Sequence, residues 1–244
     1  MCAVDLNGTT QYMSAQVDTE DDYPTPMSVS IWVKPANKGA TQGIFTRGRT
    51  DSGTFQAFLQ ILTTGVVRQF CGGNTVGTHS QDSVETVDWD AWNHICAVWN
   101  GTSCALYVNG VKVTFTSAVA YNDTTAADWD IVFGALRTTS VSNYLDGKFS
   151  QCAVYNDAFV DGDVTTLSTT KPEDASVGTR LSLYKLQTDG NDTDALNNLT
   201  AVNGGTFATD DEPPLGGGGG PLVIAGIYCP AINGGFLVLN GGIG

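Results

Sequence analysis

Hydrophobic and polar residues alternate in short stretches through most of the chain. Turn dipeptides separate these stretches: Asn7-Gly8, Asn100-Gly101, Asn109-Gly110, Asp146-Gly147, Asp189-Gly190 and Asn203-Gly204. A period of two puts successive side chains on opposite faces of a strand, so the pattern predicts an antiparallel β protein built from half-buried strands and tight turns. Ser28-Val29-Ser30-Ile31-Trp32-Val33 alternates for most of its length. Leu106-Tyr107-Val108, running through Asn109-Gly110 into Val111-Lys112-Val113, predicts a hairpin, because Asn-Gly tolerates the two positive φ angles of a type I′ turn. The one helix candidate is Asp161-Gly162-Asp163-Val164-Thr165-Thr166-Leu167, a single turn or so with Asp161 placed as its N-cap.

The pattern changes at residue 213. From Pro213 to Gly244 no residue is charged, Gly216 to Gly220 is an unbroken glycine run, and two apolar stretches follow: Leu222-Val223-Ile224-Ala225-Gly226-Ile227-Tyr228 and Phe236-Leu237-Val238-Leu239. Neither approaches the ~20 apolar residues of a membrane-spanning helix. Two readings stand side by side. In one, 213–244 is a glycine-hinged docking arm that covers Leu222, Val223, Ile224, Ile227, Tyr228, Phe236, Leu237, Val238 and Leu239 on a protein partner. In the other, it supplies the last strands of its own sandwich.

Composition narrows the class. The 244 residues are 41% hydrophobic and 15% charged, ample for a core, and one domain is the simplest division. Asp and Glu number 25 against 11 Lys and Arg, a formal charge of −14, which argues against binding phosphate backbones or anionic lipid surfaces through charge. Only Glu20, Glu85, Glu173 and Glu212 are glutamates, so the acid is mostly turn-favouring Asp. Met1-Cys2-Ala3-Val4-Asp5 lacks a basic stretch followed by an apolar core, and synthesis in the cytoplasm without export by that route is expected. The six cysteines, 2, 71, 96, 104, 152 and 229, have no C-x-x-C spacing and are expected to be buried free thiols.

Four blocks in order resemble a known family. Leu6-Asn7-Gly8-Thr9-Thr10-Gln11-Tyr12-Met13 is similar to the "F-D-G-x-x-x-Y-V" opening of laminin-G-like domains, and Met27 to Pro35 resembles their "F-T-I-S-A-W-V-K-P" strand. Trp92 to Gly101 followed by Leu106 to Gly110 resembles "W-H-H-V-A-V-T-Y-D-G…L-Y-V-N-G". Ile131-Val132-Phe133-Gly134 and Leu145 to Asn156 are similar to "L-x-I-G" and "F-D-G-x-I-D-E-V-R-I-Y-N", with Phe133 a departure. The resemblance implies a laminin-G-like, concanavalin A-like jelly roll: two antiparallel sheets in a sandwich over residues 1–212. Leu183 to Gly190, followed by Asp192, Asp194, Asn197 and Asn198, resembles a segment that usually opens such domains, so residues 181–208 are expected to complete the same sandwich in permuted order.

Chemistry is sparse. Glycanases of this fold need two carboxylates across the sugar, and the closest pairs, Asp88-x-Asp90 and Asp128-x-Asp130, read as loop caps. No catalytic residues are assigned, and His94 reads as a packing or hydrogen-bonding group. The resemblance raises structural calcium, with Asp189, Asp192 and Asp194 as ligands to test, but the family's acid after "G-x-I" is replaced by Ser150 and Gln151, and the expectation is no cofactor. Aromatics in loop-like settings, Tyr23, Trp89, Trp129 and Tyr144, are the candidates for stacking on a glycan, whereas Trp32, Trp99, Tyr107 and Tyr155 fall on core positions. Two functions follow. The first is a non-enzymatic virion protein, a capsid decoration or fibre-like component of a tailed phage, with the arm on a capsid or other virion protein. The second is a free carbohydrate-binding or adhesion module. A homo-oligomer is compatible with both.

Overall fold

The computed structural model describes residues 3–17, 25–49, 55–72, 79–117, 119–121, 129–137, 140–184, 200–208 and 211–215. In chain order the elements are β1 (Ala3–Asn7), β2 (Tyr12–Val17), β3 (Met27–Pro35), β4 (Gln42–Arg49), β5 (Phe55–Ile61), β6 (Val66–Phe70), β7 (Ser80–Thr86), β8 (Asn93–Trp99), β9 (Cys104–Val108), β10 (Val111–Lys112), β11 (Trp129–Phe133), β12 (Leu136–Arg137), β13 (Val141–Ser142), β14 (Asp146–Tyr155), α1 (Asp161–Leu167), β15 (Arg180–Tyr184), β16 (Thr200–Val202) and β17 (Thr206–Ala208).

Two antiparallel sheets face each other. The first runs β10-β9-β8-β3-β14-β1-β17, with β15 also on β14; the second runs β16-β2-β11-β4-β5-β6-β7. β14 is long enough to hold two neighbours along one side: β1 pairs with it at 146–149 and β15 at 152–155. The alternation read from sequence supplies the inner faces. Val29, Ile31 and Val33 of β3, with Ile95, Ala97 and Trp99 of β8, meet Ile131 and Phe133 of β11 and Leu59 and Ile61 of β5 in one core.

The outer face of the first sheet is covered as well. Cys96, Val98, Tyr107, Ala153, Tyr155 and Leu183 form a second core under Phe159, Val164, Leu167 and Val177, which come from α1 and its flanks. This is why β3 is buried along nearly its whole length although Ser28 and Ser30 alternate with its apolar residues. Ser28 Oγ donates to the Asp157 carbonyl at 2.6 Å and accepts from the Phe159 N–H at 3.2 Å, so its hydroxyl is satisfied where it is buried.

Both sides of the sandwich are closed by chain that crosses between sheets. Residues 200–202 pair with β2 and residues 206–208 with β1. Opposite them, the chain after β10 leaves the first sheet and joins β7, with Val84 N–H on the Thr114 carbonyl at 2.8 Å and Thr116 N–H on the Asp82 carbonyl at 3.0 Å. Such crossings occupy strand edges that would otherwise offer unpaired backbone groups.

Three sequence expectations are corrected. The helix lies where it was expected, but its N-cap is Val160, whose N–H is met by Asp163 Oδ2 at 3.0 Å; Asp161 instead accepts the Tyr107 hydroxyl at 2.9 Å. Trp129 and Asp130 belong to strand β11, not a loop, pairing with β2 and β4. Asp146-Gly147 opens β14 and makes no hairpin. Gly147 has φ +133, and a Cβ there would lie 2.2 Å from the Lys34 carbonyl oxygen, so glycine is required by the close approach of β3. By contrast Asn109 and Gly110, with φ 53 and 79, make the expected type I′ hairpin between β9 and β10.

Gly147→Ala is expected to cost roughly 2–4 kcal/mol through backbone displacement of β3 and positive-φ strain. Gly162→Ala, where a Cβ meets nothing within 4 Å on an exposed helix position, is expected to add about 0.5–1 kcal/mol. Urea unfolding of the two variants beside the parent chain measures both; equal effects would contradict this account of Gly147.

Candidate functional site

One end of the sandwich gathers the turn after β1, the loop after β3, the loop before β8 and the segment before β14. Asn7 shapes the first of these. Its Oδ1 accepts from the N–H groups of Thr9, Thr10 and Gln11 at 3.0, 3.1 and 3.3 Å, and its own N–H is held by Gln11 Oε1 at 3.0 Å. Asn and Asp favour turns because their side chains satisfy nearby backbone donors in this way. Gln11 Nε2 then donates to the carbonyls of Asn203 and Gly204 at 3.2 and 2.9 Å, and Asn203 Nδ2 returns to the Thr10 carbonyl at 2.9 Å. The turn is thereby tied to the β16–β17 crossing.

Lys38 joins the other loops. Its ammonium donates to the Gly8 carbonyl at 2.8 Å and to the Tyr144 carbonyl. Burial lowers its pKa, and the nearby Asp146 carboxylate partly opposes that. Tyr144 is half-buried, its hydroxyl donating to the Val141 carbonyl at 3.1 Å and its ring 6.2 Å from that of Tyr12. The result is a rim of two partly exposed tyrosines beside the exposed Asn7, Thr9 and Thr10. Its backbone is fixed by side-chain hydrogen bonds.

Of the aromatic candidates among the described residues, Trp89 and Tyr144 share one end of the sandwich and Trp129 belongs to the other. Trp89 is half-buried and packed on the core. Trp129 begins β11 at the opposite end, paired with Val17 and Arg49. Tyr23 lies outside the described residues. So do the calcium candidates Asp189, Asp192 and Asp194, and the docking candidates Leu222, Val223, Ile224, Ile227, Tyr228, Phe236, Leu237, Val238 and Leu239. Among the described residues no group of three His, Cys, Asp or Glu could hold a metal ion.

The remaining chemistry is structural. The Asn93 side chain shapes the loop before β8: its Nδ2 binds the Asp88 and Ala91 carbonyls at 2.8 Å each, while Asp90, at φ 58, donates its backbone N–H to the Pro35 carbonyl. His94 Nε2 is 2.8 Å from Ser30 Oγ, but both residues are fully buried, and burial lowers the imidazole to about 3, leaving it neutral. Trp32, Trp99, Tyr107 and Tyr155 are all buried, as core positions should be. On the outer face of the second sheet, Phe58 and Phe70 stack at 4.8 Å under Leu136 of the β12–β13 hairpin, so the chain covers its own apolar spot there. Beside it Arg68 grips Asp82 through two bonds of 2.7 and 2.8 Å.

Sequence reading missed a cluster centred on Asp211. Lys34 and Lys148, opposite each other on β3 and β14, donate to its Oδ2 at 2.9 and 3.0 Å, and Trp92 Nε1 donates to Oδ1 at 2.9 Å. Only tertiary pairing assembles these four residues. Burial pushes the Asp211 carboxyl up, but the bonds from Lys34, Lys148 and Trp92 and the Lys148 charge outweigh it and hold the group at about 2. The clamp ties Asp211 to β3 and β14 of the first sheet.

The family model for the concanavalin A-like lectin/glucanases superfamily matches residues 7–165. The chain belongs to this superfamily, and the two-sheet jelly roll described above is its fold. No curated protein sequence matches. Among solved structures, a native heptameric SAP-like pentraxin from Limulus polyphemus superposes with a TM-score of 0.61 at 15% identity, over 85% of this chain and 94% of that one. A candidate carbohydrate binding protein from Bacteroides ovatus gives 0.57 at 17%, over 84% of this chain and 61% of that one. The CBM40 of the Ruminococcus gnavus IT-sialidase, bound to α2,3 sialyllactose, gives 0.55 at 15%, over 68% and 96%. At these identities the likeness is one of fold.

Because the folded carboxyl sits below the ordinary 3.8, its contribution to stability is complete above that value and is lost as pH falls from about 4 to about 2. Asp211→Asn is expected to lower stability by roughly 1–2 kcal/mol near neutral pH, the partly exposed site being screened. Unfolding of parent and variant across that acid range checks the sign: the gap must shrink as pH falls.

Proposed function

We propose that this chain is a carbohydrate-binding domain that holds a glycan on the rim formed by Tyr12, Tyr144 and the Asn7–Gln11 turn. The observation that carries the reading is the pair of half-buried tyrosines beside exposed hydroxyl and amide groups on a backbone already fixed by Lys38, Asn7 and Gln11. Sugars present apolar ring faces and polar edges, and a fixed rim of this kind offers both surfaces with little ordering cost on binding. The superfamily and the two neighbours described as carbohydrate-binding support the same class of ligand. The proposed role is binding rather than hydrolysis, since glycosidic cleavage uses two carboxylates flanking the bond and the rim residues Asn7 to Tyr12 and Tyr144 supply none.

Tyr144→Ala and Tyr12→Ala are each expected to weaken glycan binding several-fold to about tenfold, the loss of a stacking contact of roughly 0.5–1.5 kcal/mol, with little change in melting temperature. A glycan array followed by calorimetry on the best ligand checks this. Undiminished affinity in both variants would move the site away from the rim.

A second reading concerns display. The uncharged segment Pro213–Gly244, starting two residues beyond the Asp211 clamp, favours attachment of the domain to a larger particle, as a capsid decoration or fibre-like component of a tailed phage. Deleting residues 216–244 is expected to leave the unfolding transition in place and abolish association with the particle. Unfolding of the shortened chain would instead assign the segment to its own sandwich.

A further inference from the structure

At the end of the sandwich remote from Tyr144, two cysteines from opposite sheets are brought into register. Cys71 follows β6 in the second sheet, and Cys104 opens β9 in the first. Hydrogen bonds between the sheets fix their relation. Trp99, which pairs with Cys104 across β8 and β9, donates its indole N–H to the Phe70 carbonyl at 2.7 Å. Gln69 Nε2 donates to the Val98 carbonyl at 3.2 Å. Gln81 Nε2, opposite Gln69, reaches both Gln69 Oε1 at 2.9 Å and the Cys104 carbonyl at 3.5 Å. Cys71 is anchored by its own N–H on the His79 carbonyl at 2.8 Å. Both side chains pack on the main core, Cys71 fully buried and Cys104 partly open to solvent.

We propose that Cys71 and Cys104 are the sites of an inter-sheet disulfide, formed when the folded protein meets a small-molecule disulfide oxidant, and that the bond staples β6 to β9. Cys104 is paired with Trp99 and so points to the same side of its sheet, while Cys71 follows the Phe70 carbonyl that holds the Trp99 indole, so both side chains face the same stretch of core. Exchange starts at Cys104, the one of the two residues that is partly open to solvent. Its thiolate attacks one sulfur of the oxidant, the oxidant's S–S bond breaks, and one thiolate leaves while a mixed disulfide remains on Cys104. The Cys71 thiolate then attacks the Cys104 sulfur and expels the second half of the oxidant. The two cysteines are oxidised by two electrons, the oxidant is reduced to two thiols, and the two protons end on those thiols or in water. Burial, together with the neighbouring Cys71, pushes the Cys104 thiol well up, so the reaction is slow near neutral pH and quickens as pH rises. Among the other described cysteines, Cys152 is fully buried in the main core and Cys96 in the second core.

The test uses the full-length, folded chain incubated with oxidised glutathione near neutral pH and again about one to two pH units higher. After quenching with an alkylating agent in denaturant, peptide mapping by mass spectrometry should find the Cys71 and Cys104 peptides joined, with two hydrogen atoms lost. The joined species should form faster at the higher pH, and its melting temperature should rise by about 5–10 °C, because cross-linking a loop of this length restricts the unfolded chain. Cys104→Ser should form no such link and show no rise in glutathione. The proposal fails if both cysteines are recovered alkylated, if the joined protein melts lower, or if Cys104→Ser gains the same rise. The mapping of the parent chain decides the matter even if that variant does not fold.

Discussion

Backbone hydrogen bonds hold each sheet together, but side chains do most of the holding between sheets. Here a run of aromatic rings passes back and forth across the interface. Trp99 of the first sheet meets Phe45 of the second at 6.1 Å, Phe45 meets Phe133 at 5.4 Å, and Phe133 turns back to Phe149 and Tyr184 of the first sheet at 6.1 and 5.8 Å. These are tilted, offset or edge contacts of the kind aromatic rings prefer, and they are directional where aliphatic packing is not. Trp99 adds a hydrogen bond to the opposite sheet. The run sets how one sheet lies on the other, and therefore which loops meet at each end.

That relation governs the rest. At one end it brings the turn after β1 under Lys38 and beside Tyr144. At the other it sets Phe70 against Trp99 and so Cys71 near Cys104. Neither group is a product of neighbouring sequence: Lys38 is far from Gly8 and Tyr144 along the chain, and Gln11 is tied to Asn203, 192 residues away. The outer layer adds a second constraint. By covering β3 and β8 with α1 and its flanks, the protein buries Ser28, Ser30 and His94, and this is why the Ser30–His94 contact is part of the packing rather than a reactive pair.

The strands were legible because their signal is local. Period-two alternation in β3 and β8, and Asn109-Gly110 between β9 and β10, state the local conformation outright. Where the reading slipped, the deciding contact was distant. Asp146-Gly147 has the composition of a turn, yet Gly147 is there for the Lys34 carbonyl of another strand. Asp161 has the chemistry of an N-cap, but Tyr107 claims it, and Asp163 closes the helix start instead. For the candidate site the balance is less favourable. Tyr144 was picked out by its loop context, but its partners Tyr12, Lys38 and Gln11 carried no signal that separates a rim residue from any other polar or aromatic residue near a turn.

The sequence by itself determined the strand pattern, the tight turns and the superfamily, because each depends on residues adjacent in the chain or on spacing shared by the family. Tertiary structure decided the rest: that Trp129 begins a strand at one end while Tyr144 crowns the other, and that Lys34, Lys148 and Trp92 converge on Asp211. Such convergence depends on how strands far apart in sequence are registered against one another, and a period of two fixes which face a side chain occupies without fixing what lies across from it.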